Sequence, residues 1–278
     1  MQHINYLYPF WGSETDTIDD FIENIIDQGF NGIEIHIPNA INFENALYNK
    51  IENIKKTVPD FIVVPQQVTG VKLEAPEDYL VGVLKRLEEL KRFEPNFINS
   101  HTGKDHYSFS DNCRIIEAIE AFSLKNKVKV YHEIHRGRFT FHSATTLTYL
   151  EQFPQLKLVG DLSHWCVVSE SMLEDQASII KEVIPHIHHI HARVGFEQAP
   201  QVNHPFAPEW EPKLKIFLGW WQQIVDHHKK KNNISITPEF GPFPYMPQSP
   251  FDQKPLAQQK VLNFEMKIYL QEHLKLHP

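Results

Sequence analysis

A helical pattern followed directly by an apolar strand opens the sequence. Between residues 13 and 29, apolar side chains recur at the three- and four-residue spacing of one helix face. Ser13 is a candidate N-cap and Gly29 a candidate stop for this helix. A β-branched stretch, residues 32–37, follows and is closed by Pro38. The pattern predicts a helix that leads into a buried strand.

The same unit recurs along the chain, with further helical patterns at residues 78–92 and 213–227, for example. Strands are predicted between turn residues at 3–8, 31–36, 61–66, 96–101, 128–133, 156–161, 187–191 and 234–239. Strands that alternate with helices over about 250 residues are typical of a closed (β/α)8 barrel. We therefore predict a single α/β TIM-barrel domain over residues 1–278. An open doubly wound sheet is the alternative, but no Gly-rich first turn supports it.

Polar residues stand at the carboxyl ends of most predicted strands, where a TIM barrel builds its active site. They are Glu34, His36, Gln66, His101, Glu133, Asp161, His191 and Glu239. Side chains alternate between the two faces of a strand, so that His189, His191 and Arg193 share one side. The charged run 132–138 is therefore interpreted as one wall of a shared pocket rather than as a solvated edge.

Three carboxylates and a histidine are predicted to converge without a matching number of cations. Burying them together would be costly unless a positive charge lies between them. A divalent cation held by Glu133, Asp161, His191 and Glu239 removes that cost, and oxygen and imidazole donors suit Mn²⁺ or Mg²⁺ and permit Zn²⁺ or Co²⁺. We predict one divalent ion, with Mn²⁺ preferred. Ion pairs of the glutamates with arginines, and a helix cap by Asp161, are the alternative interpretations.

These residues resemble the xylose isomerase-like TIM-barrel superfamily of sugar isomerases and epimerases, which also contains inosose dehydratase and endonuclease IV. The similarity extends over nearly the whole chain. It rests on Glu-x-His-Arg-Gly from Glu133, Asp-x-x-His from Asp161, His-x-Arg from His191 and Thr-Pro-Glu ending at Glu239. The resemblance implies that these four residues bind one divalent metal and that the two glutamates also move the substrate proton.

The resemblance also implies substrate contacts and shows two departures from the family pattern. His164 matches a substrate-binding histidine, and His101 begins a His-x-Gly stretch that lines the pocket in many members. Phe139 stands where the epimerases have a second glutamate, and Glu197 stands where they have an arginine. Arg193 is the candidate for that arginine's role. We predict His101, His164 and Arg193 as the substrate-binding residues.

Composition narrows the choice of partners and compartment. The formal net charge of −8 argues against nucleic acid as the main partner. Cys113 and Cys166 are too few for a disulfide framework, and no apolar run is long enough to cross a membrane. The beginning of the sequence also lacks the pattern of a signal peptide. We expect a cytoplasmic protein that binds a small sugar. A homo-oligomer is compatible with the sequence.

The predicted reaction is a metal-dependent sugar isomerisation or epimerisation through an enediolate. The loops at 194–211 and 241–249 are not Gly-rich, which favours an unphosphorylated substrate. A dehydratase on the same barrel is the main alternative. An endonuclease IV-like phosphodiesterase would need an Asp-x-His that is missing, with only Asn203 and His204 near its place. A non-catalytic sugar-binding barrel is the remaining alternative.

Overall fold

The computed structural model describes residues 3–68, 75–229 and 233–276. Parallel strands pair in chain order and close on themselves as β1 meets β8, which confirms the predicted (β/α)8 barrel. The strands are β1 (His3–Pro9), β2 (Gly32–Ile35), β3 (Ile62–Gln67), β4 (Ile98–Ser100), β5 (Val130–Glu133), β6 (Leu158–Gly160), β7 (Ile187–His191) and β8 (Asn233–Thr237).

Amphipathic helices connect the strands and cover the outside of the barrel. They are α1 (Ile18–Asp27), α2 (Ile41–Thr57), α3 (Pro76–Leu90), α4 (Phe109–Asn126), α5 (Ser143–Gln152), α6 (Ser163–Ser169), α7 (Ala177–Val183), α8 (Glu211–His227) and α9 (Gln259–His273). Two short helices, α6 and α7, share the connection between β6 and β7. Across the described ranges, none of the helices is long and apolar enough to cross a membrane.

The start of α1 differs from the prediction. Thr17, not Ser13, is the N-cap, and its hydroxyl accepts a hydrogen bond from the Asp20 backbone N–H at 3.1 Å. Ser13 is buried, and its N–H donates to the Phe10 carbonyl at 2.8 Å. The sequence signal at Ser13 was wrong because residues 10–17 form a folded loop over the carboxyl end of the barrel.

The barrel interior has an apolar part and a polar part. Its apolar cluster consists of Leu7, Val64, Phe97, Tyr131 and Val159. Phe97 and Tyr131 stack with ring centroids 4.3 Å apart, and Phe97 lies 5.2 Å from the ring of His189. From His189 towards the carboxyl ends of the strands, the interior is filled by polar side chains, so the candidate site has an apolar floor.

Two loops meet above the carboxyl ends of the strands. Trp11, after β1, packs edge-to-face on Tyr245, after β8, with ring centroids 4.9 Å apart. A Cβ atom at Gly241 would lie 2.3 Å from the Trp11 ring, so only glycine lets the two loops approach this closely. These loops cover the interior polar residues.

Candidate metal and active site

The ends of β5 to β8 bring the four predicted ligands together. Glu133 and His191 are the last residues of β5 and β7, while Asp161 and Glu239 follow β6 and β8 within two residues. One ligand atom from each lies within 4.8 Å of the others, and all four residues are buried. The group therefore has the spacing and the donor types of a site for one divalent cation.

The orientation of His191 fits a cation in this group. Its Nε2 lies 3.0 Å from both carboxylate oxygens of Glu34, so the Nε2 proton is directed to Glu34. Its Nδ1 lies 3.0 Å from Oε2 of Glu239 and 3.8 Å from Oε1 of Glu133, but it is buried without a hydrogen-bond partner among the described residues. A nitrogen lone pair that faces two carboxylate oxygens needs either a proton or a metal cation between them. The arrangement matches a metal-binding histidine oriented by a carboxylate behind it.

Without a cation, this group depends on protonation. Burial alone would lower the pKa of His191, but the charges of Glu239, Glu34 and Glu133 raise it well above its usual value. Metal binding through Nδ1 requires the neutral ring and therefore displaces a proton.

Asp161 contacts both the start of α6 and the charged residues of the site. Its Oδ1 accepts hydrogen bonds from the N–H and the hydroxyl of Ser163, at 3.1 and 2.5 Å, at the start of α6. Its Oδ2 accepts a hydrogen bond from Arg193 and lies 3.5 Å from Nε2 of His164. Burial raises the pKa of Asp161, and the positive charge of Arg193 opposes that rise. Asp161 is not the N-cap, because Leu162 occupies that position, but its carboxylate holds the first residue of α6 and faces the candidate ligand group.

Arg193 lies beneath the covering loops. It is 1% exposed and places NH1 3.5 Å from Oε2 of Glu239, in addition to its bond with Asp161. The Tyr245 ring lies over it at 4.8 Å. Arg193 therefore balances two carboxylates of the ligand group, and the substrate contact assigned to it stays a prediction.

A row of three histidines lines the other side of the group. The His135 ring lies 4.6 Å from the His101 ring and 4.0 Å from the His164 ring. Nδ1 of His101 accepts from Arg138 at 3.4 Å, so Nε2 carries the proton that meets Oε2 of Glu133 at 2.9 Å. His164 is fully buried, and desolvation together with neighbouring positive charges lowers its pKa, which keeps it neutral.

Two inward-facing residues outside the four-residue ligand group, Asn99 and Glu34, hold it together, and sequence reasoning had singled out only Glu34. Asn99 donates to Oε1 of Glu34 at 2.8 Å and to Oε2 of Glu133 at 2.6 Å. Glu34 also accepts from Thr237 at 2.6 Å and meets His189 at 3.0 Å. Strand alternation places Asn99 on the same face as His101, and this was the available signal. Glu34 was considered beside His36, which lies beyond the end of β2 and is exposed, with the charges of Arg86 and His101 nearby. The place of His36 in the pocket stays a prediction.

The positions that depart from the family pattern lie in structural contacts. Phe139 is buried with its ring edge-to-face on Tyr149, and Glu197 forms an ion pair with Lys213. Asn203 accepts a hydrogen bond from the Trp210 indole at 2.8 Å. His204 lines a depression with Phe206 and Phe264, away from the ligand group. None of these described residues adds a donor to the group.

Comparison with known proteins shows which solved structures share this fold. No protein-family model and no curated protein matches the chain. Solved structures do match. A probable 3-DHS dehydratase, AsbF of Bacillus anthracis, is involved in petrobactin synthesis and has a TM-score of 0.65 at 18% identity, over 96% of this chain and 98% of that one.

Two further structures have the same architecture. A xylose isomerase domain-containing protein from Salmonella typhimurium LT2 matches with a TM-score of 0.65 at 12% identity, over 98% of this chain and 97% of that one. The IolI protein with a bound zinc atom matches with a TM-score of 0.66 at 10% identity, over 99% of this chain and the whole of that one. The chain thus has the fold of the xylose isomerase-like TIM barrels, as its motifs indicated.

Proposed function

We propose that this protein is a divalent-metal-dependent sugar isomerase or epimerase that acts on a small, unphosphorylated sugar or polyol. The observation that carries the proposal is the position of Glu133 and Glu239, whose oxygens lie 3.8 and 3.0 Å from Nδ1 of His191, an atom without a hydrogen-bond partner among the described residues. Glu133, Asp161, His191 and Glu239 would hold the ion, and their donor set favours Mn²⁺. When bound, such an ion polarises a carbonyl or hydroxyl oxygen.

Each glutamate has one oxygen towards His191 and one towards neighbouring amides or imidazole. In Glu133, Oε1 faces His191, while Oε2 accepts from Asn99 and His101 at 2.6 and 2.9 Å. In Glu239, Oε2 faces His191, while Oε1 lies 3.4 Å from the Gln66 amide. Both carboxylates are therefore fixed in orientation, as general acid–base catalysis requires.

These two glutamates would exchange the substrate proton. One carboxylate takes a proton from the carbon beside a carbonyl group to give an enediolate, and the other returns it. Return to the neighbouring carbon interconverts an aldose and a ketose, whereas return to the opposite face produces an epimer. His101, His164 and Arg193 would hold substrate oxygens. The buried site also excludes water from the enediolate.

A dehydratase is the second candidate, and the similarity to the probable 3-DHS dehydratase favours it. Removal of the same proton followed by loss of a hydroxide from the next carbon gives dehydration with the same pair of carboxylates. An endonuclease IV-like role is disfavoured because His204 lies away from the ligand group.

Proton exchange with solvent tests the proposal. Mn²⁺-loaded wild-type protein, incubated in D₂O with a panel of neutral and acidic ketoses and aldoses, is expected to incorporate deuterium at the carbon beside the carbonyl of at least one of them. Glu239→Gln should reduce exchange by about 10²–10⁴-fold because it removes one acid–base group. Glu182→Gln, at an exposed position of α7, is the matched control. Exchange that survives in Glu239→Gln at the wild-type rate would contradict the assignment.

A further inference from the structure

Among the described residues, an arginine beside the ligand group has no carboxylate partner. Arg138, in the loop after β5, is 8% exposed, and the one hydrogen bond of its NH2 in this part of the chain is to Nδ1 of His101, at 3.4 Å. Its NH1 is buried without a hydrogen-bond partner among the residues that the structure describes. Arg193 differs, because it is balanced by Asp161 and Glu239. A buried guanidinium with unused donors is costly unless a ligand completes it.

A second cation lies on the same side of the site. Lys104, in the loop after β4, is half-buried and sits 5.7 Å from the centroid of the Tyr79 ring. Desolvation lowers the pKa of Lys104, the charge of Arg138 lowers it further, and Asp105 partly opposes the change. Lys104 is therefore near enough to Arg138 for the two positive charges to interact.

We infer that Arg138 binds a carboxylate of the substrate, so that the substrate is a polyhydroxy acid rather than a neutral sugar. The inference rests on the proposed function, because it identifies the substrate class of the same site. One imidazole ring, that of His101, separates the Arg138 guanidinium from the carboxylate of Glu133. An acid held by Arg138 thus places its neighbouring carbons beside the acid–base pair, with Lys104 adding positive charge.

The position of Arg138 favours a carboxylate over a phosphate. The planar guanidinium can donate two parallel hydrogen bonds to the two oxygens of a carboxylate. Barrels that bind phosphate generally use backbone amides in the loops after the seventh and eighth strands, whereas Arg138 follows β5. The same position also explains why a buried charge is present where no described carboxylate neutralises it.

Calorimetric titration with matched ligands tests this inference. The probes are glucuronate against glucose, gluconate against glucitol, and glucose 6-phosphate, titrated into wild type, Arg138→Gln, Arg138→Lys and Arg114→Gln. We expect an acid to bind at least about tenfold more tightly than its neutral counterpart, and Arg138→Gln to weaken that acid about ten- to a hundredfold. Arg138→Lys should recover part of the loss. Arg114 lies on the exposed surface of α4, so Arg114→Gln should bind like wild type.

Three results would overturn the inference: equal binding of every acid and its neutral counterpart, an acid preference that survives in Arg138→Gln, or an Arg138-dependent preference for glucose 6-phosphate over both acids. If Arg138→Gln does not fold, by circular dichroism, Lys104→Gln takes its place. This half-exposed substitution should lower the acid preference several-fold, and an unchanged preference contradicts the inference.

Metal content and deuterium exchange, measured on the same samples, separate this inference from the proposed function. An Arg138-dependent acid preference without metal binding or exchange would support the carboxylate site and overturn the isomerase. Metal binding with exchange on neutral sugars alone would support the isomerase and overturn the carboxylate site.

Discussion

At the scale of single residues, the candidate site depends on which neighbour fixes each ligand. Glu34 is not in the four-residue ligand group, yet its carboxylate meets Nε2 of His191 at 3.0 Å and so directs Nδ1 towards Glu239. It also accepts from Asn99 and Thr237. Glu34 therefore holds the imidazole in one orientation and, when the ring is neutral, in one tautomer. This would strengthen metal binding through Nδ1.

Glu34→Gln tests this role. Glutamine keeps the shape of the side chain but loses the charge and one acceptor, so we expect metal affinity to fall about 10–100-fold while the fold is kept. Competition with a fluorescent chelator measures the dissociation constant, and Glu182→Gln provides the control. An unchanged dissociation constant in Glu34→Gln would show that His191 does not need this orientation.

The sequence could predict that the four candidate ligands come together, because each stands at the end of a strand and chain order brings the strand ends to one mouth of the barrel. The sequence could not show which of the inward polar residues deeper in the barrel contact these four side chains. Glu34 and Asn99 carry the same alternation signal as any interior residue, and only the closed barrel shows that Asn99 bridges the two carboxylates. Arg193 was predicted at the site, but its burial under Tyr245 depends on a distant loop.

At the scale of elements, the loops after β1 and β8 act as one cover. Trp11 and Tyr245 meet at 4.9 Å, and Gln259 at the start of α9 donates to the Trp11 carbonyl at 3.2 Å. The sequence does not indicate that these two segments, which are far apart along the chain, meet above the barrel. Ser13 was misassigned as a cap for the same reason, since local cap signals carry no information about a loop that folds over the barrel.

Gly241→Ala tests how closely these loops need to pack. The added Cβ would lie 2.3 Å from the Trp11 ring, so we expect a loss of about 1–3 kcal/mol in the free energy of unfolding. Gly219→Ala, in α8 with no atom within 4 Å of the new Cβ, should instead gain about 0.5–1 kcal/mol. Urea unfolding measures both. A neutral effect at Gly241 would show that Trp11 moves aside freely.

At the scale of the whole molecule, the barrel separates an apolar floor from a charged mouth. The cluster around Phe97 and Tyr131 closes the interior below His189, while the carboxylates above it crowd together. This separation follows from strand alternation and chain order, which explains why the fold was predictable. Burial alone would lower the pKa of His191, but the charges of the crowded carboxylates raise it.

A bound cation should therefore stabilise the whole barrel. Ligand binding to the folded state alone contributes about 2.7 kcal/mol when the free ion is at 100 times its dissociation constant. We expect thermal unfolding of metal-stripped protein to shift to higher temperature on addition of Mn²⁺, and to return on addition of a chelator. Glu133→Gln should show a much smaller shift, because it removes one ligand. Equal shifts in both proteins would place the ion elsewhere.

The metal content of the purified protein tests the central claim most directly. Elemental analysis of wild type and Glu133→Gln, each supplied with Mn²⁺ and dialysed, is expected to find about one divalent ion per chain in the wild type and a large loss in the variant. No divalent ion in the wild type, or the same content in both proteins, would contradict the metal site formed by Glu133, Asp161, His191 and Glu239.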